Sequence, residues 1–278
     1  MDIRAILLDF DGTSLESNQL FISKRNMKAL DLAMKKGVMV IPSTGRSAAM
    51  FPPQIEADPR IRYWITSNGG RVIDIQTGEI IYESTLTPQQ SAQVCRLFEG
   101  QMIYGEIAAQ GRIYMEKEVS RNRANYHIPP HHAWVLNHER HVELENLSRF
   151  FLHENAGIEK VNLYGVPEEK QQPLIKALDE TGFLLITEGA GKNIQFFPKS
   201  QDRCEAIDTL FQKLGLDYSQ VMALGDSTLD MPSIKKAKIG VAMSNAPRHV
   251  RDAADYIAPP YDQDGAADAI EKFILNQD

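Results

Sequence analysis

Four aspartates in two short motifs are the residues of this sequence best suited to chemistry. Asp9 and Asp11 stand two residues apart after an apolar run, and Asp226 and Asp230 stand four residues apart after another. Carboxylates packed at one site raise each other's pKa unless a cation lies among them. Their hard oxygen atoms suit Mg²⁺. The pattern therefore predicts a Mg²⁺ site, provided that the fold brings the two motifs together.

A further motif could cradle an anionic ligand. Thr44, Gly45 and Arg46 follow a separate apolar run, and glycine lets a ligand approach the backbone closely because it has no side chain. In open α/β sheets, ligands bind at the carboxyl ends of the strands. If the apolar runs are parallel strands of one sheet, their motifs meet at one edge.

The first 84 residues repeat a strand–helix pattern. Apolar runs at 3–8, 38–41 and 63–66 predict strands, and Ser23 is a candidate N-cap for a helix that ends near residue 36. Such alternation implies a parallel sheet with right-handed crossovers. The other elements predicted here are a helix at 47–57 and two hairpin strands at 71–75 and 80–82.

The pattern changes between residues 85 and 192, where longer helices and differently paired strands predict an α+β insertion with an antiparallel sheet. The alternating pattern then resumes. We therefore predict a discontinuous α/β core, residues 1–84 and 193–278, with a middle domain, 85–192, inserted between its halves. The elements predicted after residue 84 are helices at 88–98, 142–155, 167–181, 201–214 and 264–275, and strands at 102–107, 112–117, 161–164, 183–187, 194–197, 221–224 and 239–242.

Composition narrows the class of partner. The chain has 278 residues, a formal net charge of −7 and a calculated pI of 5.6. This charge argues against binding to nucleic acid or to an anionic membrane, because both need a basic face. Cys95 and Cys204 suggest no disulfide framework, and no apolar stretch reaches the roughly 18 residues of a membrane span. These features predict a cytoplasmic protein without a nucleic-acid or membrane partner.

The motifs resemble those of the haloacid dehalogenase (HAD) superfamily of phosphohydrolases. The matching segments are residues 9–13, 44–46 and 225–230, and the insertion falls as in the subclass with an α/β type-2B cap. The resemblance implies a Rossmann-like parallel-sheet core with an inserted α+β cap domain, and a phosphoric monoester hydrolase. Further segments that resemble the Cof-type branch are Asn68-Gly69-Gly70, residues 240–246 and Asp264-Gly265.

The resemblance also implies roles for individual residues. Asp9 would be the nucleophile, and Asp11 would protonate the leaving oxygen and then deprotonate the attacking water. Mg²⁺ would be held by Asp9, the backbone carbonyl of Asp11 and Asp226, with Asp230 bound through water or in the outer shell. Thr44 would hydrogen-bond a phosphate oxygen. The other residues expected to bind phosphate or substrate are Gly12, Gly45, Arg46, Asn68 and Asn245.

Three of these residues have a structural alternative. Arg46 follows a strand end, where the alternative to substrate binding is a surface salt bridge. Asn68 and Asn245 belong to a residue type that is common in turns.

The sequence departs from the family pattern at three positions. Where the third family motif has a lysine, this chain has Arg203, which stays charged but is not equivalent to lysine, and Lys199 is the alternative cation. Leu229 replaces an asparagine, a loss expected to loosen the surroundings of the metal. Ser14 replaces a leucine and is expected to have little effect.

We therefore predict a Mg²⁺-dependent phosphatase that hydrolyses a small phosphorylated metabolite through an aspartyl-phosphate. The resemblance implies sugar phosphates, nucleotide-related phosphates or phosphorylated cofactors as substrates. One alternative is a phosphomutase or phosphotransferase, in which a sugar hydroxyl replaces water. Another, motivated by Arg203 and Leu229, is a phosphate-ligand binding or regulatory protein with weakened catalysis. The protein is expected to be a monomer or a homodimer.

Overall fold

The computed structural model of the chain describes residues 3–126, 128–188 and 193–276. The chain divides into two units. The first comprises Met1–Gly45, Phe51–Glu83 and Arg203–Asp278, and the second comprises Arg46–Met50 and Ser84–Asp202. The predicted domain boundaries, 1–84 with 193–278 and 85–192, stay a prediction.

Strands and helices alternate along much of the described chain. The strands are β1 (Ala5–Leu8), β2 (Met39–Pro42), β3 (Tyr63–Thr66), β4 (Arg71–Asp74), β5 (Glu79–Glu83), β6 (Tyr104–Ala109), β7 (Arg112–Glu116), β8 (His141–Leu144), β9 (Lys160–Tyr164), β10 (Leu184–Glu188), β11 (Ile194–Pro198), β12 (Val221–Gly225), β13 (Ile239–Met243) and β14 (Tyr256–Ala258). The α-helices are α1 (Lys24–Lys35), α2 (Pro53–Glu56), α3 (Pro88–Cys95), α4 (Lys117–Arg121), α5 (Pro130–Asn137), α6 (Leu147–His153), α7 (Glu168–Asp179), α8 (Arg203–Leu214), α9 (Met231–Lys236), α10 (Arg248–Arg251) and α11 (Gly265–Ile270), which continues into a π-helical turn, Glu271–Leu275.

A five-stranded parallel sheet forms the centre of the first unit. Its strand order is β14-β13-β12-β1-β2, and every neighbouring pair is parallel. All residues of β1 and β12 are buried, as expected for strands covered on both faces. Leu8 of β1 pairs with Leu224 of β12 and with Pro42 of β2. The segments that follow these three strands therefore leave the sheet at one edge, and the predicted α/β fold class is confirmed.

Two helices of the first unit follow directly from the sequence. Ser23 caps α1, and its side chain accepts a hydrogen bond from the backbone N–H of Asn26 over 3.0 Å. Helix α8 buries Leu210 and Phe211 in the same apolar cluster as Leu7 of β1. Burial of each such side chain contributes roughly 1.5–3 kcal/mol to the free energy of folding, and this packing holds α8 against the sheet.

Strand β3 differs from the prediction. It forms an antiparallel three-stranded sheet with β4 and β5 instead of joining the parallel sheet as a full member. An isolated parallel bridge, Ser43 to Ile65, and a 3.0 Å hydrogen bond from Thr44 N–H to the Ile65 carbonyl connect it to the residues that follow β2. The hairpin β4–β5 satisfies the other edge of β3, because β4 returns directly beside it.

The second unit contains a six-stranded sheet in the order β10-β11-β9-β6-β7-β8. Its pairs are antiparallel, as predicted, except that β7 and β8 are parallel. Apolar side chains of the sheet pack against helices α3, α6 and α7, with Val94, Phe151 and Leu178 among the fully buried residues. The predicted α+β character of this segment is confirmed.

Two predicted helices are not continuous. Residues 47–57 form a 3₁₀ turn, Ala48–Met50, and the four-residue α2, because consecutive prolines at 52 and 53 interrupt the backbone hydrogen bonds of a helix. Residues 142–155 contain most of β8, followed by α6. Asn146 is the N-cap of α6, and its side chain accepts a hydrogen bond from the Arg149 N–H at 2.7 Å. Pairing with β7 holds the first three residues of that stretch extended.

An ion pair at the turn between β4 and β5 provides a test of stability. Asp74 is buried and accepts the Arg62 guanidinium through both oxygens, with Nε to Oδ1 at 2.8 Å. The arginine lowers the pKa of Asp74 to about 2. Because the folded-state pKa lies below the unfolded value of about 3.9, the stabilisation is complete above that value and is lost as the pH falls towards 2.

We expect Asp74→Asn to lower the free energy of unfolding by about 1–3 kcal/mol at pH 7. The difference from the unchanged protein should shrink by about half at pH 3. Urea denaturation at both pH values measures this, with Asp252→Asn as the control, since that exposed pair with Arg248 should contribute less than about 0.5 kcal/mol. An equal difference at pH 7 and pH 3 would contradict the prediction.

Candidate active site

Three aspartates meet at the edge where the parallel strands end. Asp9 directly follows β1, Asp226 directly follows β12, and Asp230 immediately precedes α9. Each offers a carboxylate oxygen, and these oxygens lie within 4.8 Å of one another. Asp9 and Asp230 are buried, whereas Asp226 is half-buried. The fold thus brings together the two acidic motifs, which are more than 200 residues apart in sequence.

The turn after β1 fixes the backbone and the carboxylate of Asp9. The backbone N–H groups of Thr13 and Ser14 donate to the Phe10 carbonyl at 3.2 and 3.0 Å. The Thr13 hydroxyl donates to Oδ2 of Asp9 at 3.2 Å, and the Ser14 hydroxyl donates to the Asp9 carbonyl at 2.8 Å. Ser14, expected to have little effect, therefore contacts the candidate nucleophile's backbone. Neither hydroxyl contact was identified from the sequence.

Gly12 and Asn245 link the first acidic motif to Asp226. Gly12 has a φ of +70°, and a Cβ atom built on it would overlap Oδ2 of Asp226. The amide nitrogen of Asn245 donates to the Gly12 carbonyl at 2.9 Å and to Oδ2 of Asp226 at 3.2 Å. The structure therefore places both residues at the acidic cluster, while their predicted contact with substrate stays a prediction.

Gly12→Ala is expected to lower phosphatase activity at least about 100-fold, because its methyl group must displace the Asp226 carboxylate, and misplacement of a reacting group by about 1 Å has an effect of this size. The positive φ should also lower stability by about 1–2 kcal/mol. Gly78→Ala is the matched control: its φ is +75°, but nothing lies within 4 Å of its Cβ position. Equal activity losses in the two variants would contradict the expected clash.

Arg203 supplies the positive charge of the cluster. It is the first residue of α8, its side chain is buried, and Nη2 lies 2.9 Å from Oδ1 of Asp230 and 3.9 Å from Oδ1 of Asp9. Lys199, the alternative cation, is exposed and belongs to the second unit. Arg203 thus lies beside the aspartates, while its match to the family motif and its part in catalysis stay predictions.

Burial and mutual repulsion make the cluster receptive to a cation. Burial raises the pKa of Asp9 well above its usual value, and the charge of Asp230 raises it further, while Arg203 opposes both effects. Burial, together with Asp230 and Asp11, raises the pKa of Asp226 to about 7. A dication among these carboxylates would favour their ionised forms. The carboxylate of Asp11 is not one of the three grouped side chains. The group of Asp11 that is predicted to bind the metal is its backbone carbonyl.

Asp230 is anchored without help from residue 229. Its Oδ2 accepts hydrogen bonds from Ser227, at 3.0 Å from the backbone N–H and 2.6 Å from the hydroxyl, and from the Asp226 N–H at 3.3 Å. Leu229 is exposed. An effect of Leu229 on the surroundings of a metal stays a prediction.

The other predicted site residues fall into both units. Thr44 is fully buried just after β2, and its carbonyl accepts the Asn68 N–H at 3.0 Å. Thr44, Gly45 and Asn68 all belong to the first unit. Asn68 is buried with a φ of +60°. Arg46 belongs to the second unit, where its buried guanidinium donates to the Met50 carbonyl at 3.1 Å. It is thus not an exposed surface residue, and contact of these four residues with substrate stays a prediction.

In a parallel α/β sheet, ligands bind at the carboxyl ends of the strands, where these aspartates are clustered. The family model of the haloacid dehalogenase-like hydrolases matches residues 6–270. The chain therefore belongs to the haloacid dehalogenase-like hydrolases. This result confirms the family predicted from the motifs.

Relatives and solved structures agree with this assignment. A 5-amino-6-(5-phospho-D-ribitylamino)uracil phosphatase of Bacillus subtilis is 29% identical over 99% of this chain and 97% of its own length. A haloacid dehalogenase-like hydrolase from Bacteroides thetaiotaomicron has a TM-score of 0.81 at 24% identity, covering 98% of this chain and 100% of its own. A HAD subclass IIB sugar phosphatase has a TM-score of 0.71 at 21% identity, covering 97% and 98%.

These similarities confirm the predicted fold and the predicted enzyme class, a HAD-type phosphoric monoester hydrolase. Among the helices of the described ranges, none is both long and apolar enough to cross a membrane. The cytoplasmic location and the monomeric or dimeric state stay predictions.

Proposed function

We propose that this protein is a Mg²⁺-dependent phosphatase that hydrolyses a small phosphomonoester through an aspartyl-phosphate on Asp9. The observation that carries this proposal is the convergence of three carboxylates, Asp9, Asp226 and Asp230, within 4.8 Å of one another and beside Arg203. Burying a carboxylate without a counter-ion costs free energy. A cluster of buried carboxylates is therefore expected where a cation binds together with an anionic substrate.

The residues present fit a magnesium ion. The donor set is made of carboxylate oxygens, which Mg²⁺ prefers, and a side chain at Gly12 would fill the space beside Asp226. Asp9, Asp226 and the backbone carbonyl of Asp11 would hold the ion, with Asp230 nearby. When bound, Mg²⁺ would offset the negative charge that otherwise opposes attack of a carboxylate on a phosphate.

The proposed reaction has two steps. In the first, a carboxylate oxygen of Asp9 forms a bond to phosphorus while the bond to the leaving oxygen breaks, and Asp11 gives its proton to that oxygen. In the second, Asp11 takes a proton from water, the water oxygen bonds to phosphorus, and the Asp9–phosphorus link breaks. Inorganic phosphate leaves, and both carboxyl groups return to their starting states.

The surrounding groups position the phosphate. We assign hydrogen bonding of a phosphate oxygen to Thr44, charge neutralisation to Arg203, and close backbone approach to Gly12 and Gly45, because transfer of a phosphoryl group depends mostly on positioning and electrostatics. The first unit would then be the catalytic core and the second the cap that selects the substrate.

The named relatives guide the choice of substrates for testing. One is a phosphatase of a phosphoribitylamino-uracil and another is a sugar phosphatase. We therefore propose sugar phosphates, sugar-alcohol phosphates and nucleotide-related phosphates as the first compounds to assay. Release of inorganic phosphate from such a panel with Mg²⁺ supports the phosphatase.

The same panel separates the alternatives. A phosphotransferase or mutase would yield a phosphorylated sugar in place of inorganic phosphate. Tight binding of a phosphorylated compound without turnover, across the panel and with Mg²⁺ present, would contradict the phosphatase and favour a binding or regulatory protein.

A further inference from the structure

Arg203 is held by a second residue, Ser43, in addition to Asp230. Its Nε–H donates to Oγ of Ser43 at 3.1 Å, and Nη2 donates to the carbonyl oxygen of the same serine. Both residues are buried, with exposed fractions of 8% for Arg203 and 4% for Ser43. The serine thus contacts two different nitrogen atoms of the guanidinium and fixes the orientation of its plane.

Ser43 is in turn fixed relative to the candidate nucleophile. It directly follows β2, and its backbone N–H donates to the carbonyl of Leu8 at 2.9 Å. Leu8 is the last residue of β1 and immediately precedes Asp9. This hydrogen bond joins the ends of β1 and β2. It therefore fixes the position of Ser43 relative to the backbone of Asp9.

The backbone of Arg203 is held closely as well. A Cβ atom built on Gly69 would lie 2.6 Å from Cα of Arg203, and Gly69 has a φ of +87°. Only glycine permits both this approach and this backbone conformation without strain. The backbone and the guanidinium of Arg203 are therefore both positioned by residues that follow β2 and β3.

The contact between Ser43 and Nε is specific to arginine. The Nε–H group projects from the side of the arginine chain, whereas a lysine has methylene groups along its length and donors only at its end. In an Arg203→Lys variant, the Ser43 hydroxyl would lose this donor. The hydroxyl of Ser43 therefore accepts a hydrogen bond that the arginine can donate from Nε and that the lysine of the family motif could not.

We propose that Ser43 is a positioning residue that orients the guanidinium of Arg203 towards the phosphate held at Asp9. The proposal rests on the proposed function, which gives Arg203 its contact with phosphate. Its distinctive consequence is that the effect of removing the Ser43 hydroxyl depends on whether residue 203 is arginine.

A double-mutant cycle tests this consequence. The unchanged protein, Ser43→Ala, Arg203→Lys and the double variant are compared by kcat and KM for an aryl phosphate with Mg²⁺, and by calorimetric Kd for inorganic phosphate. Ser43→Ala should lower kcat at least about tenfold when residue 203 is arginine, the effect of one hydrogen bond to a charged group, with a smaller change in KM. In the Arg203→Lys background, the same change should cost less than about twofold.

Ser233→Ala is the matched control, because Ser233 lines the same cavity of about 10 Å³ as Ser43 and Arg203. It should leave kcat within about twofold. If Ser43→Ala does not fold, Ser43→Cys replaces it in the cycle, since a thiol keeps the volume but is only a weak acceptor.

Equal fold-changes from Ser43→Ala in the two backgrounds would overturn the pairing. An unchanged protein that hydrolyses no phosphomonoester would instead contradict the proposed function. In that case the phosphate Kd values decide the pairing: weaker binding only in the arginine background supports it, and equal or absent weakening overturns it.

Discussion

Asp9→Asn is expected to abolish phosphomonoester hydrolysis, with kcat at least about 10⁴-fold lower than in the unchanged protein. Asparagine has the shape of aspartate but cannot form the covalent link to phosphorus, so the first step is lost while the site stays assembled. The measurement is phosphate release from an aryl phosphate with saturating Mg²⁺.

The same substitution should not destabilise the fold. Burial and the charges of Asp230 and Asp226 raise the pKa of Asp9, which means that its ionised form is disfavoured in the folded protein. A neutral amide removes that repulsion, so the melting temperature without added metal should be unchanged or higher. A variant that loses activity because it unfolds would not support the nucleophile assignment.

Asp179→Asn makes the same chemical change at an exposed position of α7 and should keep full activity. Residual turnover by Asp9→Asn within about tenfold of the unchanged protein would contradict a nucleophilic role for Asp9.

Removal of divalent metal is the second change with a large expected effect. Treatment with EDTA should lower kcat at least about 1,000-fold, because offsetting charge at a reacting phosphate contributes several kcal/mol. Added Mg²⁺ should restore activity and raise the melting temperature, since a dication relieves the repulsion among the three grouped carboxylates. Activity titrated against Mg²⁺ concentration, together with thermal melts, measures both effects.

Asp226→Asn should raise the Mg²⁺ concentration needed for half-maximal activity, because one charged ligand is lost. Asp252→Asn, an exposed aspartate paired with Arg248, should leave that concentration unchanged. Full activity in EDTA, or an unchanged Mg²⁺ requirement in Asp226→Asn, would contradict a metal site at this cluster.

The convergence of Asp9, Asp226 and Asp230 could be predicted because parallel strands end at the same edge of a sheet. The apolar runs before Asp9 and Asp226 identified β1 and β12, and their pairing follows from the fold class. Local pattern was sufficient here, since each motif lies within a few residues of its strand.

Elements that depend on distant partners could not be predicted in the same way. Ser43 contacts Arg203 across 160 residues, and neither its residue type nor its neighbours indicate that contact. The Asn245 bridge between Gly12 and Asp226 likewise depends on tertiary packing.

Two of the errors had a signal in the sequence. Adjacent prolines at 52 and 53 argue against one continuous helix over 47–57. The alternation of Val142 and Leu144 with polar neighbours has the period of a strand, which β8 is.

Chemical trapping of the phosphorylated enzyme tests the role of Asp9 most directly. The protein is mixed with an excess of aryl phosphate and Mg²⁺, quenched with borohydride to reduce any acyl phosphate to the alcohol, digested and analysed by mass spectrometry. We predict reduction of the side chain at position 9 and no other, absent when substrate is omitted. Reduction at a different aspartate, or none while phosphate is being released, would contradict an aspartyl-phosphate on Asp9.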